Sequence, residues 1–126
     1  MKKRILIVED DLATRMLLDH VLGQQFELTL LANGKEALDW LNQGNIADLI
    51  LTDLDMPHMS GMDLIYKMES YPLYMQIPLI VLSAQEQREL DEIMQSGTVH
   101  SVVSKPFHYK TLLWNVEDAL AKVAFA

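Results

Sequence analysis

Short apolar segments alternate with longer stretches of helical periodicity along this sequence. Most of the apolar segments lack alternating polar residues, and they lie at residues 5–8, 27–31, 49–51, 77–82 and 102–103. Helical spacing of apolar residues follows each of them, at residues 13–23, 35–42, 62–69, 85–95 and 109–123. A strand that is apolar at consecutive positions is buried on both faces, as in a parallel sheet covered by helices. The alternation therefore predicts an α/β domain with a five-stranded parallel sheet.

The size and charge of the chain exclude several functional classes. Its 126 residues, half of them hydrophobic, suffice for one packed core. The formal net charge of −8 opposes direct binding to nucleic acid or anionic lipid, and the absence of cysteine excludes thiolate catalysis. The first apolar segment is interrupted at Glu9, and it is therefore too short for the apolar region of a signal peptide or for a membrane span. We therefore expect a cytoplasmic protein with a single domain over residues 1–126 and no output domain.

Chemically active side chains follow four of the five predicted strands, and the carboxyl ends of such strands meet at one edge of the sheet. These side chains are Glu9, Asp10 and Asp11, then Asp53, Ser83 and Lys105. Each alone has an ordinary explanation as a turn, a helix cap or a loop residue. Crowded carboxylates, however, repel one another unless a cation binds, and oxygen ligands without neighbouring His or Cys favour Mg²⁺. A carboxylate beside Mg²⁺ can attack a phosphoryl group, with the ammonium of Lys105 and the hydroxyl of Ser83 contacting its oxygens.

The motifs around these side chains resemble the receiver domains of bacterial response regulators. The matching segments, in the same order and spacing as in that family, are residues 5–11, 48–57 with 60–61, 78–84 and 104–107. The resemblance covers essentially the whole chain. It implies a flavodoxin-like, doubly wound (βα)5 fold with strand order 2-1-3-4-5.

The same resemblance implies the roles of the site residues and the partners. Asp53 would be the phosphoacceptor, and the phosphoryl group would be held by Ser83 and Lys105. The Mg²⁺ ion would be bound by Glu9, Asp10, Asp53 and the backbone carbonyl of Asp55. The phosphoryl donor would be a sensor histidine kinase or a phosphotransfer protein. The chain would act as a signalling switch and not as an enzyme, catalysing only its own phosphorylation and dephosphorylation.

The last predicted helix carries a candidate surface for output. Its apolar stripe, which should face the sheet, consists of Tyr109, Leu112, Leu113, Val116, Leu120 and Val123. Trp114 falls on the opposite, polar side of the same helix, where an aromatic side chain is a candidate binding hot spot or simply an isolated exposed residue. Receivers commonly bind targets or form homodimers through the face made by the fourth helix, fifth strand and fifth helix. That face would correspond here to residues 85–95, 102–103 and 109–123.

Three positions depart from the pattern of the family. Val102 occupies the position three residues before Lys105 where a Tyr or Phe is usual, so an aromatic readout on the fifth strand is not expected. Gly97 lies one residue farther from the lysine than usual. Asp55 replaces the common Met or Asn two residues after the phosphoacceptor. It is either a solvated loop carboxylate or a residue that tunes the lifetime of the phosphoryl group.

Two other functions fit parts of the sequence less well. Asp53-Leu54-Asp55 resembles the Asp-x-Asp motif of haloacid-dehalogenase-type phosphatases, which also form an aspartyl phosphate. In those enzymes the motif lies on the first strand, whereas here the acidic triplet at residues 9–11 precedes it, and the chain has no room for a substrate-capping insertion. A flavodoxin-like cofactor module would need a phosphate-binding loop after the first strand, and the same triplet would repel phosphate there.

Overall fold

The five predicted strands form one parallel sheet in the computed structural model, which describes residues 2–54, 61–84, 94 and 99–124. The strands are β1 (Arg4–Val8), β2 (Glu27–Leu31), β3 (Leu49–Asp53), β4 (Leu79–Ser83) and β5 (Val99–Ser104). All neighbouring pairs are parallel, and their order is β2-β1-β3-β4-β5. The expected doubly wound, flavodoxin-like fold is therefore confirmed.

Four of the five predicted helices have the expected positions, and one short helix is additional. They are α1 (Leu12–Leu22), α2 (Gly34–Asn42), α3 (Gly61–Glu69), α4 (Pro72–Met75) and α5 (Tyr109–Ala124). The short helix α4 was not predicted, because a single turn has no detectable periodicity; it begins with Pro72, whose fixed φ suits the first helical position. Of the predicted helix at 85–95, only Met94 is among the described residues, and it is helical.

Side-chain caps fix the starts of the two helices that follow the first strands. Asn33 accepts a hydrogen bond from the Glu36 backbone N–H (2.9 Å), and the Glu36 carboxylate accepts one from Ala32 N–H (2.8 Å). This reciprocal arrangement satisfies backbone donors that an uncapped helix would leave open. At α1 the capping residue is Asp11, whose carboxylate accepts from the Thr14 N–H at 3.0 Å.

The hydrophobic core lies in two layers, one on each face of the sheet. Alternate residues of β1, β3 and β4 point to opposite faces, so both faces are apolar. On one face Leu6, Ile50 and Val81 pack with buried residues of α2 and α3. On the other face Ile7 and Leu51 pack with buried residues of α1 and α5. This double coverage is the physical reason for the continuous apolar runs in the sequence.

The predicted apolar stripe of the last helix is correct in its middle and wrong at its start. Leu112 and Val116 are buried, as predicted, and Leu113 and Leu120 are half-buried and pack against the same core. Tyr109, however, is 52% exposed, and its ring stacks on that of His108, the residue before the helix. Ala119 is buried and was not predicted. The side chain of Val123 lies outside the described residues.

The end strand β5 is longer than predicted and irregular. Leu79 pairs with Val99 while Ile80 pairs with Ser101, so His100 is an extra residue opposite β4. The polar residues His100 and Ser101 concealed this part of the strand in the sequence. His100 is not left to solvent, because its Nε2 lies 3.0 Å from the Asp118 carboxylate on α5. Among the described residues no helix is both long and apolar enough to span a membrane.

Candidate functional site

The topology brings the predicted site residues to one edge of the sheet. Asp53 and Ser83 are the last residues of β3 and β4, Glu9 follows β1 and Lys105 follows β5. The register pairs Val8 with Thr52, so Glu9 and Asp53 are the next residues along two neighbouring strands. Strands β1, β3, β4 and β5 are consecutive in the sheet, and their carboxyl ends therefore form a continuous rim.

Three carboxylates converge at the centre of this rim. Glu9, Asp10 and Asp53 each offer a carboxylate oxygen, and these three oxygens lie within 4.8 Å of one another. Glu9 and Asp53 are buried, whereas Asp10 is exposed. Burial raises the pKa of Glu9, and the nearby charge of Asp53 raises it further. The cluster thus holds more negative charge than its surroundings favour.

The Lys105 ammonium partly neutralises the cluster. Its Nζ lies 3.1 Å from Glu9 Oε2 and 3.3 Å from Asp53 Oδ2. Burial by itself would lower the pKa of Lys105, but the hydrogen bond to Glu9 and the charge of Asp53 act in the opposite direction, and the pKa is raised. The backbone N–H of Lys105 donates to the Ser83 carbonyl (2.8 Å), which anchors the base of the side chain to the sheet.

The two carboxylate oxygens of Asp53 have different surroundings. Oδ1 accepts a hydrogen bond from the Leu54 backbone N–H at 2.8 Å, and Oδ2 faces Lys105. Thr52 is completely buried and donates its hydroxyl hydrogen to the Asp53 carbonyl (2.9 Å). The Asp53 carboxylate is therefore contacted on one oxygen by a backbone donor and on the other by the lysine side chain. Sequence reasoning missed the Leu54 contact, because a backbone donor leaves no signature in residue type.

The residues of the acidic triplet 9–11 have two different roles, one in helix capping and one in the carboxylate cluster. Asp11 accepts hydrogen bonds from the Thr14 N–H (3.0 Å) and the Thr14 hydroxyl (2.6 Å), and these bonds lower the pKa of Asp11. Glu9 Oε1 accepts from the Asp11 N–H at 3.2 Å, which leaves Oε2 directed at Lys105. Asp11 is thus the cap of α1, and only Glu9 and Asp10 join the carboxylate cluster.

The remaining site predictions fall on three positions. Ser83 is buried at the end of β4, opposite Ser104 in the register, next to the strand that carries Asp53. Val102 is half-buried and packs on the core face shared with α2 and α3. Asp55 and Gly97 lie outside the described residues. The roles assigned to all the site residues stay predictions.

The donor set fits a magnesium ion. Mg²⁺ prefers oxygen ligands and keeps several water molecules, binding through one or two carboxylates and a phosphate oxygen. All three residues of the cluster supply carboxylate oxygens; Glu9 and Asp53 are buried, whereas Asp10 is exposed to water. Burial is the main cause of the raised pKa of Glu9, and a divalent cation there would relieve the second cause, the repulsion by Asp53.

Comparison with known proteins agrees with this geometry. Residues 5–117 match the family model described as the response regulator receiver domain. The chain is 28% identical to the polar-differentiation response regulator DivK of Brucella anthropi, over 95% of this chain and 98% of DivK. It is 30% identical to the 3',5'-cyclic-nucleotide phosphodiesterase regA of Dictyostelium discoideum, over 97% of this chain but 16% of regA. Several relatives are much longer than this chain, which spans only 9% to 24% of the length of four of them.

Solved structures show the same similarity. The chemotaxis response regulator CheY4 of Vibrio cholerae superposes with a TM-score of 0.84 at 25% identity, covering 94% of this chain and 99% of that one. The strand order and the carboxylate rim are those that the sequence resemblance implied. Since the family model covers most of the sequence, this chain belongs to the response regulator receiver domains of two-component signalling.

Proposed function

We propose that this receiver domain is a phosphorylation-dependent switch that accepts a phosphoryl group on Asp53. The proposal is carried by the position of Asp53, which ends β3 within 3.3 Å of the Lys105 ammonium and within 4.8 Å of two further carboxylates. A nucleophilic carboxylate needs a neighbouring cation to approach a phosphoryl group, which is itself anionic. Lys105 supplies one positive charge, and the carboxylate cluster can bind a second.

The transfer forms one bond and breaks one. A carboxylate oxygen of Asp53 attacks the phosphorus of a phosphohistidine, the P–N bond breaks, and the leaving imidazole retains the electron pair and takes up a proton. The product on Asp53 is an acyl phosphate. Leu54 N–H fixes the carboxylate during attack, and Ser83 donates a hydrogen bond to a phosphoryl oxygen.

In this proposal Mg²⁺ and Lys105 would neutralise different parts of the negative charge on the phosphoryl group. When bound, Mg²⁺ would be held by Glu9, Asp10, Asp53 and the backbone carbonyl of Asp55, and would neutralise charge on the transferred group. Lys105 stays protonated at neutral pH, because its contacts with Glu9 and Asp53 outweigh the burial that would lower its pKa. Its Nζ turns from Glu9 toward a phosphoryl oxygen once the acyl phosphate is present.

The first helix offers a contact surface for the phosphoryl donor. The donor, a sensor histidine kinase or a phosphotransfer protein, must cover the rim to bring its histidine to Asp53. Helix α1 starts three residues after Glu9, and its side chains Leu12, Met16 and Leu17 are exposed apolar groups. Such side chains gain free energy when a partner covers them. A donor protein that packs on α1 would therefore bind more tightly, and it would be held close to Asp53.

The output surface lies on the last helix. Trp114 is 65% exposed, as predicted, and is a candidate anchor for a downstream target or a homodimer through β5, α5 and the segment at 85–95. A hollow of about 350 Å³ lies between β5 and α5, with Val102, Thr111 and Asn115 in its wall. Phosphorylation would change this surface through the connection from Ser83 to Lys105 at the ends of β4 and β5.

Intact mass spectrometry tests the acceptor directly. With acetyl phosphate and Mg²⁺, the wild type should gain one phosphoryl group, whereas Asp53→Asn should gain none because an amide is not a nucleophile. Met16→Asp should accept phosphoryl from acetyl phosphate at the normal rate but more slowly from a donor protein. Equal labelling of Asp53→Asn would refute the assignment. Multiple turnover of p-nitrophenyl phosphate would favour a phosphatase instead.

A further inference from the structure

The edge of the sheet opposite Asp53 carries the most exposed aliphatic side chains of the described chain. Ile46, in the loop before β3, is 65% exposed, and Leu73 on α4 is 75% exposed. Both side chains adjoin one small apolar hollow of about 140 Å³, which also has Leu41, Tyr74 and Ile77 in its wall. A side chain as large as isoleucine or leucine gains free energy when a partner removes it from water.

Ile46 is the centre of a larger surface. Besides the apolar hollow, it borders one of about 310 Å³ between Arg4, Glu27 and Trp40, and one of about 300 Å³ beside Lys2 and Lys3. A projecting aliphatic group surrounded by three depressions matches the usual form of a binding hot spot, where a central anchor is enclosed by contacts that exclude water. We name the set Lys2, Lys3, Arg4, Ile46 and Leu73 the basal patch.

The basal patch is basic in a strongly acidic chain. Lys2, Lys3 and Arg4 are three of only 10 Lys and Arg residues, against a net charge of −8. Arg4 is neutralised locally, since its Nε lies 3.3 Å from the Glu27 carboxylate. Asp48, which accepts a hydrogen bond from the Arg4 backbone N–H at 2.8 Å, places one carboxylate in the same hollow as the two lysines. Lys2 and Lys3 are exposed and have no ion-pair partner within the described part of the chain. Two lysine ammonium groups, against the one carboxylate of Asp48, therefore border the apolar centre.

We propose that the basal patch binds a partner protein through an acidic peptide segment with an apolar anchor. The anchor side chain would pack on Ile46 and Leu73, and the carboxylates of the segment would pair with Lys2 and Lys3. A second copy of this chain fits less well, because an isologous contact would bring the same lysines together. An anionic bilayer fits less well because it is an extended surface that faces the whole domain, with its net charge of −8, whereas a peptide segment contacts only the basal patch.

Binding at the basal patch is independent of the phosphorylation state in this proposal. The patch lies at the amino ends of the strands and Asp53 at the carboxyl end of β3. Five strand residues at about 3.3 Å each separate the two edges by roughly 16 Å. The segment would thus act as a constitutive tether while the opposite edge exchanges phosphoryl groups. It does not depend on the assignment of Asp53.

Selection from a phage-displayed library of random peptides tests the proposal. The library is selected on the wild-type domain after depletion on Ile46→Asp, and individual peptides are then measured by isothermal titration. We expect peptides rich in Asp and Glu around a large apolar residue. Ile46→Ala should weaken their Kd about tenfold, as for a central anchor, and Lys2→Glu with Lys3→Glu should weaken it further and reduce its salt dependence.

Matched variants separate site-specific effects from general ones. Lys35→Glu with Lys67→Glu changes the net charge by the same amount at exposed positions on α2 and α3 and should leave the Kd unchanged. Tyr66→Asp is the control for Ile46→Asp, because it places a negative charge at another exposed large side chain, on α3, and it should also leave the Kd unchanged. Selected peptides without an acidic bias, or peptides that still bind Ile46→Asp, would overturn the proposal. So would Ile46-dependent binding to vesicles of anionic lipid, or Ile46-dependent self-association in sedimentation velocity.

Discussion

Replacing Lys105 with Met removes the only Lys or Arg that pairs with the buried carboxylates among the described residues, while keeping much of the side-chain volume. Removing one partner of a buried pair typically costs about 3–5 kcal/mol, because the other charge stays buried without compensation. The side chain of Lys105 is 23% exposed and Asp10 opens the cluster to water, which reduces the effect. We therefore expect Lys105→Met to lower the free energy of unfolding of the metal-free domain by about 2–3 kcal/mol at pH 7.5.

The loss should depend on pH in a direction fixed by Glu9. The folded-state pKa of Glu9 is raised, so the free energy of unfolding is higher below the ordinary pKa of the carboxyl and falls as pH rises through the raised value. Without Lys105 that pKa rises further, because the lysine hydrogen bond lowers it in the wild type. The difference between variant and wild type should therefore shrink as pH falls from 7.5 toward the ordinary Glu pKa.

Urea unfolding followed by circular dichroism measures both effects. Lys122→Met is the matched control, since Lys122 pairs with Asp118 at 3.3 Å on an exposed turn of α5, and its loss should leave the midpoint unchanged. Saturating Mg²⁺ should restore most of the lost stability in Lys105→Met, because the ion replaces the missing positive charge. Equal stability of Lys105→Met and wild type at pH 7.5 in chelator would refute the electrostatic account of the site.

Three further results are expected from the same geometry. Millimolar Mg²⁺ should raise the melting temperature of the wild type, and Asp10→Asn should reduce this response because one of three clustered carboxylates is lost; no response in the wild type would exclude a metal site. Asp55→Asn or Asp55→Met should change the rate of acyl phosphate decay while leaving the labelled residue unchanged; identical decay would make Asp55 a solvated loop residue. Trp114→Ala should leave the melting temperature and Asp53 labelling intact but weaken self-association or target binding, and unchanged sedimentation and pull-down behaviour would refute its role.

The parts of the fold that were predictable are those where burial determines residue type. Strands β1, β3 and β4 are covered on both faces, so their apolar runs marked them clearly. The site was predictable because the carboxyl ends of parallel strands must meet, which placed Glu9 beside Asp53. The extent of β5 was not, since a polar pair within it, His100 and Ser101, breaks the apolar pattern.

The local partners within the site could not be read from residue types. The triplet at 9–11 contains three carboxylates, and the separate use of Asp11 as a helix cap depends on where the helix starts relative to Thr14. The pairing of Lys105 with both Glu9 and Asp53 depends on side-chain directions across two strands. Tyr109 is exposed and stacks on His108 at the start of the helix, where a helical wheel places it on the buried stripe.

The extra residue His100 in β5 affects how this protein can associate with others. A strand at the end of a sheet can recruit a foreign strand through its free backbone groups, and this leads to aggregation. An inserted residue disturbs the regular spacing of those groups and bends the strand, and the contact of His100 with Asp118 fixes the distortion in place. We therefore expect β5 to resist extension by another chain's backbone, so that pairing on this side of the domain depends on side chains and can be reversible.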